Sequence, residues 1–364
     1  MPKLLFIQYK PFGSVMNGGD QCTKRNYDML CHVLGEKNIE SLYIHDEDKK
    51  RAIKSYVEAL VYMPFGYFFG LTPQRVRKIV KKANSFEYVF IDRSVFGIIA
   101  KQLRTEGYQG KIISNFHNFE TAYFEAKIKK YTPFRHVLLS NVMRNDRYAC
   151  QYSDSVIVLN QRDAELLKVH FDRKPDFIIP ISLSDRFMYV PEDKSLTSVP
   201  PKCLFLGSYF PANTEGIIWF MHNVAPYVDL DIKIVGKGMD KLKTDYPELL
   251  QDIEVISNVP DLTPYFHWAD IMVLPIFSGS GMKVKTCESL MFGKNIIGTD
   301  EAFEGYEIIN GISAWRCNTA EHYISCIRDF IDNPRPQFNI EARNLYLSNY
   351  SEASVLSQFK NLCK

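Results

Sequence analysis

Short apolar runs alternate with longer amphipathic stretches along most of the chain, and this alternation restricts the fold more than any other feature. Strands that alternate with helices pair in parallel, because each crossover helix brings the chain back to the same end of the sheet. The runs form two series, separated by a polar stretch that contains prolines. We therefore predict an α/β fold of two doubly wound, Rossmann-like domains. The predicted strands are Lys3–Gln8, Ile39–Ile44, Tyr88–Ile91, Lys111–Asn115, Ser155–Leu159, Asp176–Ile179, Cys203–Leu206, Asp231–Val235, Ile253–Ser257, Ile271–Leu274 and Asn295–Gly298.

The polar stretch sets the predicted domain boundaries. Residues 1–185 form the first domain, residues 186–201 the linker and residues 202–339 the second domain. The last segment, residues 340–364, has the pattern of a helix from Ile340 to Leu362. This helix either completes the second domain or packs back on the first, and the pattern alone does not choose.

Charge is distributed unevenly between the two halves. Residues 1–185 carry 28 Lys and Arg against 20 Asp and Glu, whereas residues 186–364 carry 16 against 22. Most of the excess positive charge lies in residues 51–150, with 17 basic and 7 acidic residues. The first half is therefore expected to face an anionic partner.

Cysteine spacing and hydropathy indicate the compartment. The eight cysteines are scattered without a C-x-x-C pair, which favours reduced thiols in the cytoplasm and no metal site. No run reaches the ~18 apolar residues that a membrane-spanning helix needs. The first apolar run, Leu4–Ile7, is too short for the core of a signal peptide. We expect a cytoplasmic protein.

A glycine turn in the second half has the features of an anion site. The loop Ser278–Gly281 follows a predicted strand and precedes a helix predicted to begin near Met282. Glycines let backbone N–H groups approach a ligand closely, and a helix N-terminus carries partial positive charge. Lys283 and Lys285 add full charges, and a carboxylate at Glu288 suits the two adjacent hydroxyls of a ribose. The alternative is a structural turn with solvated lysines and a Glu288 that pairs with a neighbour. The candidate residues of this anion site are Ser280, Gly281, Met282, Lys283, Lys285 and Glu288.

The first half offers two further candidate segments. Gly18 and Gly19 lie where the first strand turns into a helix, which permits close approach of phosphates or only a special turn. A G-x-G-x-x-G fingerprint is absent from the sequence, which argues against a dinucleotide-dependent dehydrogenase. His117, Asn118 and Glu120 follow a predicted strand, at the end of a parallel sheet where ligands bind.

These segments together resemble retaining glycosyltransferases of the GT-B type, in particular those similar to glycosyltransferase family 4. The turn G-S-G-M-K-V-K-T-C-E resembles a variant of the family's two-glutamate motif; Glu288 matches the second glutamate and Ser280 stands where the first would be. F-L-G-S before P-A-N, the turn I-V-G-K-G and the H-N-F-E segment resemble further family motifs. The matching positions are Gly207, Ser208, Gly236, His117, Asn118 and Glu120.

The resemblance implies two domains that face a central cleft, with a nucleoside-diphosphate sugar as donor and no other cofactor. It implies that Lys285 and Glu288 act at the donor, that His117 lies near the reacting sugar, and that Asn118 and Glu120 lie on the acceptor side. It also implies retention of configuration, in bacterial surface polysaccharide synthesis with a UDP or GDP donor. The Asp-x-Asp at Asp229–Asp231 precedes a strand, so we expect no metal–diphosphate clamp and no metal.

Aromatic residues interleave with cations in Tyr62–Lys82 and Phe119–Arg135, which suits peripheral contact with an anionic membrane. A glycan or a lipid-linked glycan is the expected acceptor, and no nucleic-acid motif is present. Two other functions remain open at this point: a sugar-nucleotide epimerase on the same fold, and a catalytically silent scaffold or regulator, which the serine at position 280 favours.

Overall fold

A computed structural model describes residues 2–13, 18–45, 61–68, 70–128, 132–187 and 196–364. The chain divides into two compact units. The first comprises Met1–Pro180 together with Val355–Lys364, and the second comprises Ile181–Ser354.

The first unit is built on a six-stranded sheet in which every pair of neighbours is parallel. Its strands are β1 (Leu4–Gln8), β2 (Ile39–Tyr43), β3 (Tyr88–Ile91), β4 (Lys111–Asn115), β5 (Ser155–Val158) and β6 (Phe177–Ile178). They lie in the order β2-β1-β3-β4-β5-β6. Strands β1 and β5 are buried along their whole length, as expected for a sheet covered by helices on both faces.

Helices connect these strands. Those described are α1 (Gly18–Leu34), α2 (Pro73–Ala83), α3 (Gly97–Thr105), α4 (Glu120–Lys127), α5 (Arg135–Tyr152) and α6 (Gln161–Phe171). Capping side chains fix two of the starts: Thr72 accepts a hydrogen bond from the Arg75 N–H, and Asn160 accepts one from the Asp163 N–H. Asn160 directly follows the predicted strand Ser155–Leu159, and its side chain caps α6.

The last ten residues belong to the core of the first unit. Val355, Phe359 and Leu362 pack with Leu4 and Phe6 of β1. The Tyr88 hydroxyl donates to the Cys363 carbonyl at 2.9 Å. This segment therefore supplies one side of the hydrophobic core that covers the first sheet.

The second unit has the same plan. Its strands, all parallel, are β7 (Lys202–Leu206), β8 (Asp231–Val235), β9 (Glu254–Ile256), β10 (Ile271–Leu274), β11 (Asn295–Gly298) and β12 (Trp315–Arg316), in the order β12-β11-β10-β7-β8-β9. The sequence did not indicate β12, because an edge strand of two residues has no periodicity to detect. The prediction of two doubly wound parallel sheets is confirmed.

The helices of the second unit are α7 (Pro211–Asn223), α8 (Lys241–Asp245), α9 (Thr263–Trp268), α10 (Val284–Met291), α11 (Ala320–Asp332), α12 (Ile340–Leu345) and the start of α13 (Glu352–Leu362). The segment predicted as one helix from Ile340 to Leu362 is interrupted. A π-helical turn, Tyr346–Tyr350, follows α12, and Ser351 is extended, with φ −84° and ψ 158°. The Ser351 hydroxyl then accepts a hydrogen bond from the Ser354 N–H, which starts α13. Among the described residues, no helix is long and apolar enough to cross a membrane.

Candidate functional site

The glycine turn of the second unit lies at the carboxyl end of β10, where open α/β sheets bind ligands. Gly279 and Gly281 have φ values of +147° and +66°, which side chains with a Cβ atom rarely adopt. Helix α10 begins at Val284 with Lys283 as its N-cap, two residues after the predicted start at Met282. The Met282 side chain is buried, and its sulfur accepts a hydrogen bond from the Ile181 N–H at 3.4 Å. At Met282, only the backbone is therefore free to meet a ligand, while Ser280 is half-buried in the turn.

Lys285 projects into a nearly closed environment. The residue is half-buried, and burial of the ammonium group is the largest influence on its pKa. Nζ donates to Asn213 Oδ1 at 2.5 Å and lies 5.0 Å from the centre of the Phe205 ring. Burial and the neighbouring Lys283 charge together lower the pKa of Lys285 to about 7, although Glu288 opposes the shift. The ammonium thus has little compensation in this structure, and an anion beside it would restore its charge.

Lys283 is already paired. Its Nζ donates to Glu301 Oε1 at 2.5 Å and to the Gly281 carbonyl at 2.8 Å. The two side chains are 11% and 18% exposed, so the ion pair is largely desolvated. Glu301 follows β11, and an ideal Cβ at Gly279 would lie 3.5 Å from its Oε1. Glu301 thus adds a carboxylate to the glycine turn, and it was not among the individual site residues predicted from the sequence.

Glu288 is buried in the second turn of α10 and carries an ion pair. Arg186 Nη2 donates to Glu288 Oε1 at 2.8 Å. Arg186 is the more exposed partner, with 43% of its side chain accessible against 6% for Glu288. This contact fixes one carboxylate oxygen of the residue predicted to hold a ribose. Arg186 was placed in the linker by the sequence, and it was not a predicted site residue.

Gly207 and Gly236 meet where β7 and β8 end. A Cβ at Gly236 would lie only 1.7 Å from the Gly207 carbonyl oxygen, so position 236 has no room for a side chain. The Gly207 N–H donates to the Val235 carbonyl at 3.0 Å. Ser208 is exposed beside this contact. The two glycines bring two loops together at the carboxyl end of the sheet.

In the first unit, Asp92 gathers three donors. It directly follows β3 and accepts hydrogen bonds from Thr23 Oγ1 at 2.6 Å, Asn26 Nδ2 at 2.9 Å and His117 Nε2 at 3.1 Å. Burial alone would raise the pKa of Asp92, but the His117 charge and these hydrogen bonds outweigh it and lower the pKa. Asp92 is therefore a buried carboxylate that holds the imidazole of His117.

His117 is 4% exposed and follows β4, as predicted. Burial alone would lower its pKa, but the negative charges of the Cys22 thiolate and Asp92 raise it to about 10. Because Nε2 is held by Asp92, the other ring nitrogen, Nδ1, determines what the ring can bind; Nδ1 is buried without a hydrogen-bond partner in the described part of the chain. His117 thus presents one free donor as an imidazolium.

The other predicted residues of the first unit lie in two segments, one directly after His117 and one at the start of α1. Asn118 is half-buried, and Glu120 begins α4 with its Oε1 buried and unpartnered among the described residues. Burial raises the pKa of Glu120, which favours its protonated form. Gly18 and Gly19 are the first two residues of α1, and the Gly19 carbonyl oxygen lies 3.1 Å from the Thr23 hydroxyl, which donates to the nearer Asp92 carboxylate.

Comparison with known proteins addresses the second unit most directly. Residues 200–333 match the family model of glycosyl transferases, group 1. This group 1 region contains the glycine turn, both lysines, Glu288 and the Gly207–Gly236 contact. A comparison with curated protein sequences gave no match.

Solved glycosyltransferase structures share the fold over the whole chain. A sucrose-phosphate synthase from Thermosynechococcus elongatus has a TM-score of 0.73 at 12% identity, covering 100% of this chain and 98% of that one. Anabaena HepE in complex with UDP-glucose has a TM-score of 0.67 at 10% identity, covering 100% and 99%. The lipopolysaccharide outer core galactosyltransferase WaaB has a TM-score of 0.66 at 12% identity, covering 99% of each chain. At these identities the similarity shows the fold alone, and the predicted GT-B fold is confirmed.

The residues that contact the predicted site residues were not themselves predicted from the sequence. Asp92 directly follows a predicted strand, so the rule that identified His117 also applied to it. Arg186 and Asn213 are separated from Glu288 and Lys285 by 102 and 72 residues, and such pairings leave no local pattern. In the part of the chain that the structure describes, no group of three or more His, Cys, Asp or Glu side chains is arranged to hold a metal ion.

Proposed function

We propose that this chain is a glycosyltransferase that moves a sugar from a nucleoside-diphosphate donor to a glycan or lipid-linked acceptor. The match of residues 200–333 to the group 1 family carries the proposal, because that region contains the turn with Lys283, Lys285 and Glu288. Structures of Anabaena HepE, one of the similar proteins, contain UDP-glucose or UDP, which favours UDP as the nucleotide.

The diphosphate site we propose consists of the Gly281 turn, the start of α10 and the two lysines. Negative charge develops on the diphosphate as the glycosidic bond breaks, and fixed positive charges there lower the barrier. Lys285 suits this role because its ammonium donates to a neutral amide oxygen, that of Asn213, and its lowered pKa means that it regains full charge beside an anion. Lys283 contributes by changing partner, from Glu301 to a phosphate oxygen. These cations take the place of a metal ion in the proposal.

Glu288 is proposed to accept hydrogen bonds from the donor ribose. Its buried carboxylate is held at one oxygen by Arg186, so the position of the group is set before a ligand arrives. The close contact of Gly207 with Gly236 brings the loop after β7, which includes Ser208, next to the loop after β8. Gly18 and Gly19, at the start of α1, are proposed to face the donor phosphates.

His117 is proposed to act at the transferred sugar. With Nε2 held by Asp92, the ring donates from Nδ1 to a sugar hydroxyl or to the developing negative charge. Asn118 and Glu120 are the proposed acceptor-side residues, and a protonated Glu120 would donate a hydrogen bond there. We propose retention of configuration, as in the family that the sequence resembles.

Peripheral contact with a membrane fits the exposed surface of the first unit. Phe65 and Phe134 are 69% and 71% exposed, and Arg77, Lys78, Lys81 and Lys82 are exposed on α2. Exposed aromatic rings beside basic residues suit an anionic lipid surface. Lys129, Lys130 and Tyr131 of the second basic stretch lie outside the described residues. We propose action at the cytoplasmic face, in bacterial surface polysaccharide synthesis.

The decisive experiment compares Lys285→Ala with Lys243→Ala, an exposed lysine of the same unit. Each protein is incubated with a panel of UDP- and GDP-sugars, with and without a glycan acceptor, and nucleoside diphosphate release is measured. We expect Lys285→Ala to lose at least ~100-fold in rate, because a charge that acts in the transition state supplies about 3 kcal/mol or more. Lys243→Ala should keep wild-type activity. Wild-type turnover by a folded Lys285→Ala protein would contradict the proposal, and donor conversion that releases no nucleoside diphosphate would indicate an epimerase.

A further inference from the structure

One cysteine of the first unit, Cys22, lies in surroundings unlike those of six others. Cys22 is in the second turn of α1 and is 5% exposed. Arg25 Nη2 donates to its sulfur at 3.7 Å. The His117 ring, 96% buried and with Nδ1 unpartnered among the described residues, is the other cation that interacts with the thiol. A buried thiol is thus enclosed by two cationic groups.

Three elements bring this cluster together. Helix α1 supplies Cys22 and Arg25, the end of β3 supplies Asp92, and the end of β4 supplies His117. Asp92 holds Nε2 of the imidazole, so the ring stays in one orientation. The thiol therefore lies in one buried cluster with a guanidinium and a carboxylate-held imidazole, and neighbouring cations favour the thiolate, which is the nucleophilic form.

The charges of the cluster also favour a thiolate. With Cys22 protonated, the cluster has the positive charges of Arg25 and His117 against one negative charge on Asp92. Loss of the thiol proton balances the two signs in a buried site, where unbalanced charge is costly. Burial alone would raise the pKa of Cys22, and Asp92 also raises it, but His117 and Arg25 outweigh both and lower the pKa to about 7.

Six other cysteines lack this environment. Burial raises the pKa of Cys31, Cys150, Cys203 and Cys363. The pKa of Cys317 is lowered as well, but by a hydrogen bond with Cys326 rather than by a cation, and the same bond raises the pKa of Cys326. All eight are free thiols, so they serve as internal references within one molecule.

We propose that Cys22 is a modification site, a thiolate that reacts selectively with small electrophiles and with hydrogen peroxide. In the reaction with peroxide, the sulfur attacks one oxygen and forms an S–O bond while the O–O bond breaks. Hydroxide leaves and takes up a proton to become water. The sulfur is oxidised to sulfenic acid and the peroxide is reduced. The proposal concerns the reactivity of the thiol and does not depend on glycosyl transfer.

The test measures alkylation of each cysteine separately in the folded, full-length chain. Iodoacetamide is added at pH 6 to 9, the reaction is quenched, and each cysteine-containing peptide is quantified by mass spectrometry. The rate at Cys22 should rise about tenfold from pH 6 to pH 8 and then level off, whereas a thiol with an ordinary pKa near 8.5 to 9 gains roughly 100-fold and continues to rise. A Cys22 rate that still climbs steeply above pH 8, or a Cys22 that is alkylated only after unfolding, would overturn the proposal.

A matched pair of variants tests the role of the imidazole. His117→Asn removes the cation beside the thiol, whereas His170→Asn removes an exposed ring that stacks on Phe119. We expect His117→Asn to slow alkylation of Cys22 about tenfold at pH 6, because the loss of thiolate exceeds the gain in intrinsic nucleophilicity. His170→Asn should leave the rate unchanged. Equal rates in both variants, with both proteins folded by circular dichroism, would contradict the assignment.

Peroxide gives a second measurement that needs no variant. Wild-type protein treated with hydrogen peroxide in the presence of dimedone should carry the dimedone adduct on Cys22 before any other cysteine. An adduct that forms first on a partly exposed thiol such as Cys326 would refute selective reactivity at Cys22.

Discussion

Binding of a nucleoside diphosphate should be accompanied by proton uptake at Lys285. In the free protein, burial lowers the pKa of Lys285 to about 7, so at pH 8 only about 10% of the molecules carry the charged form. A diphosphate beside the ammonium favours the charged form and returns the pKa towards its ordinary value of about 10.4. Binding at pH 8 should therefore take up ~0.9 proton per site, and binding at pH 7 about half a proton.

The assay is isothermal titration calorimetry of UDP binding in two buffers that differ in ionisation enthalpy. The slope of observed enthalpy against buffer enthalpy gives the number of protons taken up. Lys285→Met keeps most of the side-chain length and removes the amine, so its uptake should fall to near zero. Lys243→Met, at an exposed lysine, should match the wild type.

Proton uptake at Lys285 also makes the affinity for UDP depend on pH. Above pH 8 the neutral lysine must be protonated before it can pair with phosphate. The dissociation constant should therefore rise by up to about tenfold per pH unit. Binding of UDP to wild-type protein at pH 8 without proton uptake would show that Lys285 is not the group that is protonated. Equal proton uptake by Lys285→Met and the wild type would show the same.

Three further predictions concern the buried groups. Burial raises the pKa of Asp146 to about 7, so the folded state keeps a proton that the unfolded chain loses above its own pKa of about 3.9. The free energy of unfolding should therefore fall by about 1.4 kcal/mol per pH unit between roughly pH 4 and 7. Asp146→Asn should flatten this slope, measured by urea unfolding from pH 5 to 8. Gly216→Ala should cost about 3 kcal/mol or more, seen as a lower unfolding midpoint, because its Cβ would lie 1.8 Å from the Pro275 carbonyl oxygen; an unchanged midpoint would contradict the packing. Asp92→Asn should lower the pKa of His117, measured by NMR titration of the ring, and an unchanged titration would show that the carboxylate does not hold the imidazolium.

The sequence predicted most of the fold because buried parallel strands are continuous apolar runs bounded by polar residues. Tyr88–Ile91, Lys111–Asn115 and Asn295–Gly298 appear with the predicted bounds. The break at Ser351 was missed, because it depends on local hydrogen bonds of a serine rather than on hydrophobic spacing. Strand β12 was missed because two residues contain no period.

The candidate site was predictable only as far as topology determines it. Residues that follow parallel strands share one end of the sheet, and this rule located His117 and the glycine turn before Lys283. The side chains that pair with these residues come from other segments of the chain. Glu301 lies 18 residues from Lys283, and Asp92 lies 25 residues from His117. Such pairs are set by tertiary packing, so a single sequence contains no periodic signal for them.

The first unit is discontinuous in sequence, and this affects how the protein folds during synthesis. Its sheet is complete by Pro180, but Val355, Phe359 and Leu362 join its core only after the second unit has been made. At 5 to 20 residues per second, translation of the intervening segment takes about 10 to 35 s. During that interval the nascent first unit exposes an apolar face, so chaperone binding should be most important there, before the ribosome delivers the last ten residues.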